Sequence, residues 1–263
     1  MPLAGKKIFV TGGSRGIGLA IALKAARDGA MIAIAAKTSD PHPKLPGTIH
    51  SAAQEIEAVG GKALPIQCDL RDENQIAESV EKAVSEFGGL DILINNAGNA
   101  HGLSSIQEGN IDDWDAMIDI NVKGLLYVSK AIIPGMTQRN SGHIINIGSI
   151  AGKEVYPNGN VYCASKHAVD ALTNGMRMDL NPFGIKVMGI HPGLVETEFS
   201  LVRFKGDEKR AETIYQGYAP LVAQDIADIV EFALTRPPHV VIADVVVLPT
   251  AQASATVIKK KLP

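Results

Sequence analysis

Apolar residues recur along this chain in two alternating rhythms. Short runs rich in Ile, Val, Leu and Ala fall near 6–11, 31–36, 63–67, 91–95, 143–148, 185–190 and 240–248. They are close to continuous rather than alternating with polar residues, the pattern of strands buried on both faces. Between them, apolar positions return at helical spacing over 16–29, 49–59, 72–87, 112–138, 160–181 and 224–235. Strand and helix in strict alternation predict an α/β fold, with a parallel sheet and right-handed crossovers. No internal repeat and no linker interrupts the rhythm, so residues 1–263 read as one domain. In a doubly wound order 3-2-1-4-5-6 with a seventh strand added, the ends of strands 1, 4, 5 and 6 meet at one crevice. Those ends carry Gly12, Asn95, Ser149 and Pro192.

Two segments break the pattern. Thr38–His50 holds three prolines and cannot be helical throughout. Glu196–Pro220 is long, charged and irregular, and its place after the last site motif reads as an active-site lid or, less often, a solvated excursion. Composition sharpens the picture in few places. Aromatics are only 5% against 46% hydrophobic residues, so the core must be built from small and branched aliphatic side chains. The net charge of −3 argues against a nucleic-acid partner or a membrane surface. Cys68 and Cys163 give no disulfide framework, which suits a reduced, cytoplasmic setting. Cys163 beside Tyr162 reads as a small apolar filler or an oxidation-sensitive neighbour. The histidines are scattered and no metal is expected; His143 and His191 read as ordinary strand-end residues. There is no signal peptide and no apolar run long enough to span a bilayer, and the basic tail VIKKKLP reads as a frayed end.

The candidate chemistry lies in two places. TGGSRGIG, Thr11–Gly18, follows the first strand and opens the first helix. That context makes the sheet Rossmann-type: glycines let the backbone approach a pyrophosphate, and the helix N-terminus offers free N–H groups. The spacing is G-x-x-x-G-x-G rather than the commoner G-x-G-x-x-G. Tyr162 and Lys166 in YCASK lie four residues apart, one helical turn, with Ser149 thirteen residues upstream of Tyr162. A phenol has an ordinary pKa of about 10; lowering it by about 3 units takes about 4 kcal/mol, which one close ammonium in a partly dry cleft can supply. Such a phenol, with a serine hydroxyl to hold the reacting oxygen, is a general acid/base for a C–O group.

With these residues in hand, the chain resembles the short-chain dehydrogenase/reductase family in its compact single-domain form, over essentially its whole length. TGGSRGIG resembles the family's cofactor turn, which implies contacts from Gly12, Ser14, Arg15, Gly16, Ile17 and Gly18. Asp69, with Leu70, resembles its adenine contact. In NNAG, Asn95 is implied to brace the sheet while Asn96, Ala97 and Gly98 border the cofactor. Asn121 in INVKG resembles the fourth catalytic position beside Ser149, Tyr162 and Lys166. HPGLVETEF, with Pro192, Gly193, Val195 and Thr197, resembles the nicotinamide-side loop. The resemblance implies that Tyr162 and Lys166 also contact the cofactor, Lys166 holding the nicotinamide ribose, and that Asn121 anchors a water linking Lys166 to solvent. It also implies a homotetramer or homodimer packed through 112–138 and 160–181, where Ala164, Ala168, Ala171 and Leu172 face either a partner or the sheet. Likeness shifts along the chain. The segment from Ala35 to Ile76 is similar to hydroxysteroid-dehydrogenase-like proteins. From about Asn121 onward the chain resembles the 3-hydroxy acid and serine dehydrogenase group. That shift implies a recombined, reconstructed or designed chain joined near Asn95–Gly98.

Cofactor and substrate can be read further. An NAD-preferring site ends its second strand in an acid that bonds the ribose 2′-hydroxyl. Here MIAIAA is followed by Lys37, and Arg15 stands in the glycine turn, so two cations favour NADP(H); Asp40 is the alternative ribose partner. The expected activity is interconversion of a small-molecule secondary alcohol and a carbonyl. Arg203 and Lys205 either meet a substrate carboxylate, as in a 3-hydroxy acid, or belong to a solvated charge run with Asp207 and Glu208. The alternatives are an uncharged ketone, aldehyde or steroid against Phe199, Leu201 and Phe204, and a non-catalytic NADP(H)-binding regulator.

Overall fold

The computed structural model describes residues 2–261; the last two residues of the basic tail, Leu262 and Pro263, lie outside them. Among the described residues nine strands form: β1 Lys7–Thr11, β2 Met31–Ala36, β3 Lys62–Gln67, β4 Ile92–Asn95, β5 His143–Ile147, β6 Lys186–Pro192, the two-residue β7 Val195–Glu196 and β8 Leu221–Val222, and β9 Asp244–Val247. Seven of them make one parallel sheet in the order β3-β2-β1-β4-β5-β6-β9, the doubly wound order expected. The helices are α1 Gly16–Arg27, α2 Ile49–Ala58, α3 Glu73–Phe87, α4 Ile111–Ile118, α5 Leu125–Arg139, α6 Asn160–Leu180, α7 Phe199–Arg203, α8 Glu208–Tyr215 and α9 Ala223–Leu234.

Strand side chains alternate between the two faces. Ile8, Val10, Ile32, Ile34, Ile145 and Ile190 pack with Ile21 of α1, Ile56 of α2 and Ile226 of α9. Phe9, Leu93, Ile144 and Val187 pack on the other face with Ile76 and Val80 of α3 and Val128, Ile132 and Met136 of α5. Both faces are covered, so the strands read as unbroken apolar runs. The helix ends follow local chemistry. Asp72 caps α3 by accepting from the Asn74 and Gln75 N–H groups at 2.9 and 3.2 Å, and Gly88 ends it in the left-handed region at φ 73°.

Three local expectations need correction. The helical stretch 112–138 is α4 and α5 joined by a π-helical turn, Asp119–Gly124. One wide turn does not disturb the three-to-four apolar spacing enough to be seen in the sequence. The last strand is shorter than 240–248, because only Asp244–Val247 pair with Gly189–Pro192 of β6. Within the irregular stretch 196–220, helices α7 and α8 form, and the parallel pair β7–β8 ties its two ends together. On α6, Ala164 and Ala171 are exposed, away from the sheet, while Ala168 and Leu172 are half-buried. Among the described residues no helix is long and apolar enough to cross a membrane.

Candidate active site

The C-terminal ends of β1, β4, β5 and β6 open into one crevice of about 780 Å³. It is lined by the glycine turn, Asn96–Gly98, Ser149, Tyr162, Lys166, Pro192–Val195 and, from the 196–220 stretch, Thr197–Ser200 and Val202–Phe204. Sequence-distant motifs therefore share one face.

The glycine turn is stitched to the loop after β4. Thr11 Oγ1 accepts from the Asn96 and Ala97 N–H groups at 3.0 Å, and the Asn96 amide donates to the carbonyls of Thr11 and Gly12 at 3.0 and 3.1 Å. Side chains have no room here. A Cβ on Gly12, which has φ 66°, would lie 2.9 Å from Ala97 Cα, and one on Gly18 would strike the Gly12 carbonyl and the Asn96 amide. Helix α1 starts with no side-chain cap from Arg15, so its first N–H groups are left for a ligand. Below the turn, the Asn95 amide donates to Ser129 Oγ at 3.0 Å and Asn146 Oδ1 at 2.9 Å, bracing β4 against α5 and β5.

On the β2 side, Arg15 Nη2 donates to Thr38 Oγ1 at 2.7 Å, while its Nη1 is buried without a partner. Burial pushes the Arg15 guanidinium down, opposed by Glu198. Lys37 reaches into solvent with 72% of its side chain exposed, its ammonium 4.0 Å from Asp69. Arg71, not singled out in the sequence, clamps Asp69 through Nε to Oδ1 at 3.0 Å and Nη2 to Oδ2 at 2.5 Å. That pair holds the Asp69 carboxyl below its usual range. Its position two residues after Asp69 was the available signal. Leu70 is buried, and Ile17 and Leu70 both line the crevice. An orphaned cation, an uncapped helix and a turn with no room for side chains fit a dinucleotide bearing an extra phosphate.

At the other end, Tyr162 is 9% exposed, its ring 5.7 Å from that of Phe199. Burial pushes its phenol up, Tyr156 adds to that, and the Ser149 hydroxyl and Arg203 oppose it. Lys166, 5% exposed, donates to the Ile147 carbonyl at 3.0 Å and is itself held down at about 8 by burial. In the chain by itself the phenol is therefore shifted up, opposite to the lowering expected of it. Both groups are buried, desolvation dominates each shift, and Lys166 is not among the groups that lower the phenol. Ser149 opens a short 3₁₀ turn and accepts from the Ala151 N–H at 3.1 Å. Asn121 sits in the π-helical turn. Its Oδ1 accepts from the Asn99 N–H at 2.8 Å, and its Nδ2 donates to the Asn99 carbonyl at 2.9 Å and Ser165 Oγ at 3.0 Å. Asn121 and Lys166 flank Gly98, where a Cβ would lie 3.2 Å from Asn121 Oδ1 and 3.3 Å from Lys166 Nζ.

The strand-end loop is pinned by a residue that sequence reasoning missed. Gln252, 5% exposed, accepts from the Leu194 N–H at 2.9 Å, and Gly193 N donates to the Val247 carbonyl at 2.7 Å. Tyr215 of α8 donates to the Val195 carbonyl at 3.0 Å and pairs with Ser200 at 2.7 Å. Arg203 faces the crevice, whereas Lys205, two residues on in the left-handed region at φ 53°, turns outward to pair with Asp113 at 2.9 Å. Lys205 is thus removed from the substrate set. Phe199 and Phe204 line the crevice; Leu201 does not.

His143 and His191 lie at strand ends, as expected, and both are buried. His143 is 8% exposed and pushed down to about 4, mainly by burial. His191 is fully buried, its Nε2 at 2.6 Å from Asp244 Oδ1 and 3.6 Å from Asp170 Oδ1. These three residues are grouped closely enough to hold a metal, yet Lys153 Nζ already bridges Asp170 and Asp244 at 2.8 and 2.9 Å. The ammonium occupies the place of a cation there.

Comparison with known proteins gives a consistent result. A sequence model of the family described as short chain dehydrogenase matches residues 6–207. The chain is 40% identical over 260 residues to an NADP-dependent 3-hydroxy acid dehydrogenase of Schizosaccharomyces pombe, covering 98% of each chain and so both sides of Asn95–Gly98. It is 49% identical over 176 residues to hydroxysteroid dehydrogenase-like protein 2 of Danio rerio, covering 66% of this chain and 42% of that one. Among solved structures, the closed form of serine dehydrogenase complexed with NADP+ superposes with a TM-score of 0.87 at 36% identity, covering 97% of this chain and 99% of the other.

Proposed function

The chain belongs to the short-chain dehydrogenase family, and from that premise we propose that it is an NADP-dependent oxidoreductase interconverting a secondary alcohol and a carbonyl, with a small 3-hydroxy acid as substrate. One observation carries the reading: Tyr162, Ser149 and Lys166 open into the same crevice as the uncapped, glycine-lined start of α1. Gly12, Ser14, Gly16, Ile17 and Gly18 hold the pyrophosphate, and Arg15 with Lys37 holds the 2′-phosphate. Asp69, Leu70 and Asn96–Gly98 border the adenosine and ribose, and Pro192, Gly193, Val195 and Thr197 the nicotinamide. When bound, NADP(H) supplies or accepts the hydride and, oxidised, brings a positive ring charge to the crevice.

Tyr162 gives the proton to a carbonyl oxygen, or takes it from an alcohol. Ser149 orients that oxygen by hydrogen bonding. Lys166 holds the nicotinamide ribose, and Asn121 fixes the loop at Asn99 on which the relay to solvent depends. Burial of Tyr162 keeps bulk water from the reacting carbon and leaves the phenol protonated, the form reduction needs. Arg203 meets the substrate carboxylate. Its Nε and Nη1 are engaged by Gly102 and Tyr156, which leaves the Nη2 edge for the substrate. The aromatic wall of Phe199 beside Tyr162 favours, as a second reading, reduction of uncharged ketones.

The free, buried Cys68 and Cys163 fit a cytoplasmic setting. A homodimer or homotetramer built on α5 and α6 would cover Ala164, Ala171, Leu126 and Met178, the last 73% exposed. A panel of hydroxy acids and ketones, assayed by absorbance with both nicotinamides, tests the function. Turnover of 3-hydroxy acids with NADP+ well above that with NAD+ supports it, and no turnover of any alcohol or carbonyl defeats it.

A further inference from the structure

Three segments far apart in sequence meet at one guanidinium. Arg203 ends α7 of the lid. Its backbone carbonyl accepts from the Gly102 N–H at 3.0 Å, and its Nε donates back to the Gly102 carbonyl at 3.2 Å. This reciprocal pair bolts the lid to the loop after β4. Nη1 donates to Tyr156 Oη at 3.0 Å. Between these anchors the guanidinium carbon lies 5.5 Å from the Tyr156 ring centroid and 5.6 Å from that of Tyr162. Lys166, by contrast, spends its ammonium on the Ile147 carbonyl.

We propose that Arg203 is a positioning residue for proton transfer: locked between the two tyrosines, it sets the electric field at the Tyr162 hydroxyl, so that seating the lid and readying the acid/base are one event. The inference rests on Tyr162 being the acid/base of the function above, and it is separate from any contact between Arg203 and substrate. The ionisable groups around the phenol are few. Tyr156 from the loop after β5, Cys163 from α6 and Arg203 from the lid act on it; Lys166 of α6, His101 of the loop after β4 and Glu198 of the lid line the same crevice. His101 is pushed down by burial and so stays neutral at pH 7. Tyr156 and Cys163 oppose phenol ionisation, whereas Arg203 favours it. A full charge at 5.6 Å from the ring, at an effective dielectric of about 20, moves a pKa by about two units. Delocalisation over the guanidinium and access of solvent reduce that to about one unit.

The test is the pH profile of kcat/KM for 3-hydroxybutyrate oxidation with NADP+, whose rising limb marks loss of the Tyr162 proton, in wild type, Arg203→Met and Arg203→Lys. Arg203→Met is expected to move that limb up by about one pH unit, with Arg203→Lys restoring most of the shift. A lost carboxylate contact alone would lower the profile by one factor at every pH and leave the limb in place. A second readout needs no turnover: tyrosinate absorbance of the NADP+ complex, with the Tyr162→Phe signal subtracted, should shift in parallel. An unmoved limb together with an unmoved tyrosinate titration in Arg203→Met overturns the proposal while leaving the enzyme assignment intact. If the wild type oxidises no alcohol, the function above falls, and the absorbance titration decides the role of Arg203 alone.

Discussion

Replacing Arg15 by Met should separate the two nicotinamide cofactors. In the folded chain the Arg15 guanidinium is tied to Thr38 through Nη2 at 2.7 Å, while Nη1 is buried and unpaired. A buried donor without a partner costs about 1–3 kcal/mol, and a charge-assisted bond to a phosphate oxygen removes that cost. Losing such a bond at about 2 kcal/mol weakens binding by about 30-fold. NAD(H) lacks the 2′-phosphate and gives Nη1 nothing to pair with at that place. Lys37 bears on the same phosphate, but its side chain is 72% exposed. Screening limits it to about 1 kcal/mol, so Lys37→Ala should cost NADPH only about fivefold. The assay is titration of NADPH and NADH against the protein by nicotinamide fluorescence. Arg15→Met should raise the NADPH Kd by about 30-fold and change the NADH Kd by less than about threefold. Equal weakening of both cofactors would place Arg15 on the shared pyrophosphate and refute the reasoning.

Other outcomes follow from the same geometry. Asn121→Ala removes three side-chain hydrogen bonds and leaves the Asn99 N–H and carbonyl unpaired; urea unfolding should show a loss of about 3 kcal/mol. His143 has a folded-state pKa of about 4, below its unfolded value, so its contribution is fully present above about pH 6.5 and is lost as pH falls through 4. Wild type should therefore lose about 2 kcal/mol more than His143→Gln between pH 7 and pH 5 in denaturant titrations; equal losses would show that His143 is not held neutral. Lys205→Ala breaks only an outward pair with Asp113, so KM for a 3-hydroxy acid should change by less than about twofold. A large KM increase would return Lys205 to the substrate site.

Much of the architecture could be read from apolar periodicity, because both sheet faces are covered and the strands stand out as unbroken runs. The crevice was legible for a related reason: strand ends are easy to locate, and doubly wound topology gathers four of them. What escaped depends on contacts between distant residues. Lys153, Asp170, His191 and Asp244 form one cluster from four separate elements, and no local spacing announces it. Arg203 and Lys205 look equivalent in LVRFKGD. A left-handed residue after a short helix sends one inward and the other to Asp113. The phenol shift was misjudged because one-turn spacing locates Lys166 near Tyr162 but says nothing of how dry both are. The π-helical turn around Asn121 was hidden because one wide turn leaves the apolar stripe continuous.

Turnover depends on Tyr162 carrying the proton in a site that binds dinucleotide independently of it. Its most direct test is Tyr162→Phe, measured for NADPH binding and for single-turnover oxidation of a 3-hydroxy acid. Binding should stay within about twofold while the chemical step slows by about a thousandfold or more. Retention of the wild-type rate and pH profile by that variant would contradict the account.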